Sequence, residues 1–337
     1  MTDMTQTIST QGQQATSPEQ AAAFARAHDA VLANVEQVIQ GKPEVVRLAL
    51  TCLFAGGHLL IEDVPGVGKT SMAKALAQSV DATWHRIQFT PDLLPSDITG
   101  VAVWNADSRR FEFRPGAVFA NLVVGDEINR ASPKTQSALL EVMEEQQVTI
   151  DAVRHWVPQP FMVIATQNPV DLEGTYRLPE AQLDRFLLRI AVGYPDDRAE
   201  EEILSRRAAA GMRLAEVRPV VSLDQVRAMV GATAGVQVAP GIARYIVAIA
   251  KASRARPELR LGVSPRGSLA LLRAAQAHSA ARGRNYVVPD DVKSLALAVL
   301  AHPVLLTAEA EVRGDHADEV LREVLAEVPV PTAADGR

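Results

Sequence analysis

The stretch Leu59-Leu60-Ile61-Glu62-Asp63-Val64-Pro65-Gly66-Val67-Gly68-Lys69-Thr70 constrains this chain more than any other. Its apolar start suits a buried strand and its Pro/Gly-rich middle a turn. Ser71-Met72-Ala73-Lys74-Ala75-Leu76-Ala77, which follows, is a good helix former. Strand, glycine loop, Lys-Thr and helix in that order make a phosphate cradle, in which loop N–H groups and the positive end of the helix dipole face a polyphosphate. Lys69 is placed to reach the β- and γ-phosphates, and the Thr70 hydroxyl to ligate Mg²⁺. The loop residues Asp63, Pro65, Gly66, Val67, Gly68, Lys69, Thr70 and Ser71 are therefore assigned to nucleotide binding. Where such a loop usually opens with glycine, this chain has Asp63. Gly66 and Gly68, nearest the phosphates, are kept, so the cradle still closes.

The pattern around the cradle predicts an α/β fold. Two helices precede it, with apolar residues at helical spacing over 21–38 and again over 43–54. Residues 84–89 read as a second strand. Residues 98–104 and 109–113 read as a hairpin in which Val101 and Val103 share a face, as do Phe111 and Phe113. Asn121-Leu122-Val123-Val124-Gly125 is a continuous apolar strand ending in Asp126-Glu127, and Ser132-Pro133 caps the next helix. A second small hairpin spans 147–157. Phe161-Met162-Val163-Ile164-Ala165-Thr166 is another buried strand, ending at Asn168-Pro169, and the last strand covers 186–192. Apolar strands alternating with helices imply a parallel sheet covered on both faces, with ligands at the carboxyl ends of the strands. After Gly193-Tyr194-Pro195 the pattern is helical and Ala-rich. The expected division is a disordered tail over 1–20, a nucleotide-binding core over 21–194 and a smaller all-α domain with a final helix over 195–330.

Composition enters chiefly through what it excludes. With 47% hydrophobic and 22% charged residues the chain is globular, and no apolar run is long enough to insert into a membrane. The net charge of -6 argues against a general nucleic-acid surface. The N-terminus is rich in Thr, Gln and Ser and lacks the apolar core of a signal peptide, so the expected location is cytoplasmic. The lone Cys52 permits no internal disulfide, and the seven histidines lack Cys or carboxylate partners at ligand spacing, so no dedicated protein metal site is expected.

Asp126 and Glu127 suit different tasks. Asp126 would hold Mg²⁺ beside Thr70, and Glu127 would orient or deprotonate the attacking water. Asn168 either positions that water or the γ-phosphate, or belongs to an ordinary Asn-Pro turn. Arg266 sits in the first turn of a helix, where a cation opposes the dipole and a nearby anion would relieve it. Arg185 closes a helix, where the dipole favours a cation in any case.

The cradle, Asp126-Glu127-Ile128-Asn129-Arg130, Ala165-Thr166-Gln167-Asn168-Pro169, Leu178-Pro179-Glu180-Ala181-Gln182-Leu183-Asp184-Arg185-Phe186 and Ser264-Pro265-Arg266 together resemble the MoxR family of AAA+ ATPases, over about residues 24–313. The resemblance implies a P-loop core with a helical lid, ATP and Mg²⁺ as cofactors, Asn168 as sensor 1, Arg266 as sensor 2 and Arg185 as an arginine finger acting on a neighbour's ATP in a homo-oligomeric, hexameric ring. The hairpins match the helix-2 insert and the pre-sensor-1 hairpin of that clade. It further implies a chaperone-type remodeller of a protein client, working with a von Willebrand factor A-domain partner. Departures are Asp63, Arg177 where proline is frequent, and Ala152 where the second hairpin often turns on glycine; none removes a catalytic group. Two other readings compete: a DNA or RNA motor gripping phosphates through Arg109, Arg110 and Arg114, and a non-enzymatic switch in which ATP only orders a docking surface.

Overall fold

The computed structural model describes residues 15–331 except 65, 169–174, 177 and 211–216; the expected tail up to residue 14, Pro65 and Arg177 lie outside the described residues. Helices α1 (Pro18–Glu36) and α2 (Pro43–Phe54) lead into strand β1 (Leu59–Glu62), the glycine loop and helix α3 (Lys69–Ser79). Then come β2 (Trp84–Gln88), α4 (Pro95–Thr99), the antiparallel hairpin β3 (Gly100–Asn105) and β4 (Arg110–Pro115), β5 (Leu122–Asp126) and α5 (Pro133–Glu145). A second hairpin, β6 (Gln147–Ile150) and β7 (Val153–Trp156), precedes β8 (Met162–Gln167), α6 (Glu180–Leu183) and β9 (Leu188–Ile190).

Five of these strands form one parallel sheet in the order β2-β5-β8-β1-β9. Alternation along each strand sorts its side chains between two layers. Leu59, Ile61, Leu122, Val124 and Ile164 face α1, α2, α3 and the lid, whereas Leu60, Val123 and Val163 face α5. Both faces are thus covered, as continuous apolar strands require.

The lid comprises α7 (Asp197–Ala210), α8 (Leu223–Ala234), α9 (Pro240–Arg254), α10 (Pro265–Ala281), α11 (Pro289–Leu300), α12 (Ala308–Arg313) and the closing α13 (Ala317–Glu327). It is not purely helical. Between α9 and α10 runs β10 (Leu259–Leu261), paired antiparallel with β11 (Leu305–Leu306). Strands of two and three residues are too short to show alternation. At its centre, buried Asp291 accepts from Arg284 and contacts His278, and these bonds hold its pKa down to about 2 against the cost of burial.

One boundary differs from expectation. The core is anchored well before residue 20: the Thr16 hydroxyl donates to the Ala232 carbonyl of the lid, and Ser17 and Gln20 form a reciprocal capping box at the start of α1. The first hairpin follows the expected alternation: Val101 and Val103 share the face of Arg114 and Glu112, while Phe111 and Phe113 share the other with Trp104 and Ala102. The two hairpins touch. Phe113 stacks on His155 with centroids 3.9 Å apart.

Candidate active site

The loop closes as its glycines demand. Gly66 and Gly68 have φ of 88° and 89°, the left-handed region that side chains other than glycine enter at a cost. Gly68 caps α3, so Lys69, Thr70 and Ser71 form the first turn of that helix, while Val67 packs half-buried against the core. Lys69 Nζ donates to the Asp63 carbonyl at 2.7 Å. Burial holds the Lys69 ammonium below the usual lysine range, and the carboxylates of Asp63, Asp126 and Glu127 oppose that shift. Burial thus works against the ammonium's charge, and the neighbouring carboxylates support it.

Asp126 ends β5 with 5% of its surface exposed. Thr70 Oγ1 donates to its Oδ2 at 3.1 Å, Thr166 Oγ1 to its Oδ1 at 3.3 Å, and Arg86 Nε to Oδ2 at 2.7 Å. Two hard oxygens about 3 Å apart suit neighbouring vertices of a Mg²⁺ octahedron with bonds of roughly 2.1 Å, so Thr70 and Asp126 fit that ion.

Glu127 lies in left-handed backbone, φ 58° and ψ 50°. In a continued strand Asp126 and Glu127 would point to opposite faces. Here Asp126 meets Arg86 and Glu127 meets Gln88, whose Nε2 donates to Glu127 Oε2 at 3.0 Å. Arg86 and Gln88 are two apart on β2 and share a face, so the turn at Glu127 brings both acids to one side. Such strain at a non-glycine residue costs about 1–3 kcal/mol and is held by its surroundings, here the Glu127 N–H bond to Thr166 Oγ1 at 3.0 Å. Asn168 is buried one residue past β8, the strand between β5 and β1.

Asp63 requires a correction. The sequence assigns it to the nucleotide, yet its carboxylate accepts N–H bonds from Val64 at 2.7 Å, Val192 at 2.6 Å and Gly193 at 2.5 Å. Its side chain ties the loop's first shoulder to the segment where the sheet gives way to the lid. Only its carbonyl, through Lys69, belongs to the cradle.

Arg185 and Arg266 come together, but not at the cradle. Both pair with Glu144 near the end of α5, Arg185 Nη2 at 3.0 Å and Arg266 Nη2 at 2.5 Å. Glu144 is thus the anion that relieves the cation in the first turn of α10. Ser264, which caps α10, also donates to Asp184 at 3.2 Å, stitching the lid to the finger segment. Burial raises the Asp184 pKa, while Ser264 and Arg266 pull it down. This cluster sits at the amino ends of the strands. The carbonyl of Met143, the neighbour of Glu144, lies 3.1 Å from His58 Nε2 just ahead of β1, and Leu187 donates to the His58 carbonyl at 2.8 Å. The cradle opens at the other end of β1, about 13 Å away for four residues.

Arg86, Gln88, Thr166, Glu144 and Asp184 escaped sequence reasoning. The alternating polar residues of Arg86-Ile87-Gln88 gave one signal, but only the pairing of β2 with β5 connects them to the acids.

Comparison with known proteins identifies what the chain is similar to. A family model described as ATPase family associated with various cellular activities (AAA) matches residues 58–188, and one described as AAA lid domain matches residues 251–324. The chain is 39% identical to chaperone MoxR1 of Mycobacterium tuberculosis, covering 88% of this chain and 81% of the relative. It is 31% identical to protein MoxR of Paracoccus denitrificans, over 92% and 97%. It is 48% identical to the uncharacterized protein YeaC of Bacillus subtilis, over 88% and 93%. A crystal structure of a proposed ATPase from Cytophaga hutchinsonii superposes with a TM-score of 0.86 at 36% identity, covering 93% of this chain and 98% of that one.

Proposed function

The chain belongs to the MoxR family of AAA+ ATPases, and we propose that it hydrolyses ATP in sites shared between neighbouring copies in a ring, using the cycle to remodel a protein client. Loop N–H groups, Lys69 and the amino end of α3 would bind the polyphosphate. Thr70 and Asp126 would hold Mg²⁺, which when bound neutralises charge on the phosphate oxygens. Glu127, fixed by Gln88 and Thr166, would orient water and take its proton, with Asn168 past the end of the neighbouring strand β8 as the second water-side group.

What supports a shared site is the separation of two half-sites on one sheet. Arg185 and Arg266 are held on Glu144 toward its amino end, while their own cradle opens at its carboxyl end. A neighbouring copy's γ-phosphoryl is the partner that suits them, where a finger in trans is worth roughly 10³–10⁵ in rate for related NTPases. A hexamer and a von Willebrand factor A-domain partner follow from the family alone. Trp104, Phe111 and Trp156, 53%, 68% and 67% exposed on the joined hairpins, are the surface we assign to the client. The working location is the cytoplasm; among the described residues no helix is long and apolar enough to cross a membrane.

The test is the Mg²⁺-dependent ATPase rate per subunit over a wide range of protein concentration. A specific activity that climbs with concentration is expected. A flat, measurable rate would overturn the shared site, and no turnover at any concentration would favour a nucleotide switch.

A further inference from the structure

Arg86 binds the atom that a metal would need. Its Nε donates to Asp126 Oδ2 at 2.7 Å, and Oδ2 is also the acceptor of the Thr70 hydroxyl. Among the described residues it is the one cation within ion-pair distance of that buried carboxylate. A divalent ion seated between Thr70 and Oδ2 would face the guanidinium at close range, and like charges there repel. Arg86 has somewhere to go: its side chain is 52% exposed on β2, an edge strand. It also holds a second contact, Nη2 to Gln88 Oε1 at 3.1 Å, which orients the amide so that its Nε2 reaches Glu127 at 3.0 Å. Asp126, Arg86, Gln88 and Glu127 therefore form one unbroken chain of polar contacts joining the metal-side acid to the water-side acid.

We propose that Arg86 is a cationic placeholder, an alternative to Mg²⁺ at Asp126 whose displacement loosens the Gln88 hold on Glu127. The inference rests on the nucleotide site described above and deepens it. With no metal bound, Arg86 compensates a carboxylate that would otherwise be buried without a cation. When the ion binds, the guanidinium moves toward water, and Glu127 loses part of its anchor as it becomes needed for the attacking water. Arg86 is in this sense a positioning residue, acting through Asp126 and Gln88.

The experiment titrates Mg²⁺ against binding of a fluorescent ADP analogue at constant ionic strength, in the unmodified protein and in Arg86→Gln. Removing the competitor should lower the half-saturating Mg²⁺ concentration by roughly tenfold, the scale of one charge-assisted contact. Melting in EDTA should also place Arg86→Gln below the unmodified protein, with the gap narrowing in Mg²⁺ and ADP. An unchanged or raised Mg²⁺ requirement, or a melting gap equal in both conditions, would overturn the proposal and leave Arg86 a structural ion pair. If the glutamine variant does not fold, Arg86→Met, which keeps the aliphatic stem, is judged by the same criteria. Absence of ADP binding in the unmodified protein, with or without Mg²⁺, would overturn the nucleotide site and this inference together, whereas binding indifferent to Mg²⁺ or to Arg86 removes only the latter.

Discussion

Asp63 shows how a single residue can look like a defect in a motif and be a joint in the fold. Its backbone avoids positive φ, so the position does not require the usual glycine, and its carboxylate collects three N–H donors from two segments. Asp63→Ala would strand the buried donor of Val192 and the half-buried one of Gly193, and we expect it to lower unfolding stability by about 2–4 kcal/mol. Asp63→Gly, which restores the usual loop pattern, should be no better. Urea denaturation decides it: a glycine variant as stable as the original would mean the carboxylate ties nothing. The cradle and the two acids are legible in the sequence because their signal is local, a fixed spacing of glycine, Lys-Thr and an apolar run ending in Asp-Glu. The partners of Asp63, Asp126 and Glu127 are not, because Val192, Arg86 and Gln88 reach them only through strand order.

Among the elements, the long buried strands declared themselves by apolar continuity, and the hairpins by alternation and polar turns. The left-handed backbone at Asp151 and Ala152, φ 49° and 65°, matches a tight hairpin turn that alanine occupies under strain. What the strand patterns could not reveal is how α5 locks onto the sheet. His58 Nδ1 accepts the Val163 N–H at 3.0 Å and Nε2 lies 3.1 Å from the Met143 carbonyl, so the ring is neutral and joins β1, β8 and α5. A second proton would have to displace the Val163 bond. Burial holds His58 at about 4, and burial likewise holds His302, whose Nε2 faces the Phe186 carbonyl, at about 4. The unfolded chain, with histidines near 6.5, binds more protons between these values. Stability contributed by neutral His58 and His302 is therefore complete above pH 6.5 and falls toward pH 4, by up to about 3 kcal/mol per pH unit with both titrating. Asp291, near 2, acts only below that window. Unfolding midpoints at pH 7, 6 and 5 should fall steadily, and His58→Gln should flatten the fall even if it costs stability at pH 7. Equal slopes in the two proteins would refute the assignment.

At the scale of the whole molecule, one hydrophobic core runs from α1 through the sheet into the lid, so lid and core are a single packed body. That packing fixes Ser264 against Asp184 and joins Arg266 to Arg185 through Glu144. Sequence reasoning names both arginines but not their company, since nothing local links residue 266 to residues 144 and 185. On the shared site proposed above, a subunit that carries a cradle at one end and a cationic pair at the other would complete its neighbour's site by head-to-tail contact, the geometry that closes into rings. Two inactive variants should then rescue each other. Glu127→Gln keeps its arginines but cannot activate water, while Arg185→Ala keeps a sound cradle but gives its neighbour no finger. In a random equal mixture, a site works only where an Arg185→Ala cradle meets a Glu127→Gln neighbour, so activity should return to about a quarter of the unmodified rate. Replacing Arg185→Ala with Arg266→Ala should give rescue too, because the two arginines travel together on Glu144. Were the arginines to serve their own cradle, each Arg185→Ala subunit would lack its finger whatever its neighbour, and the mixture would stay as inactive as its parts.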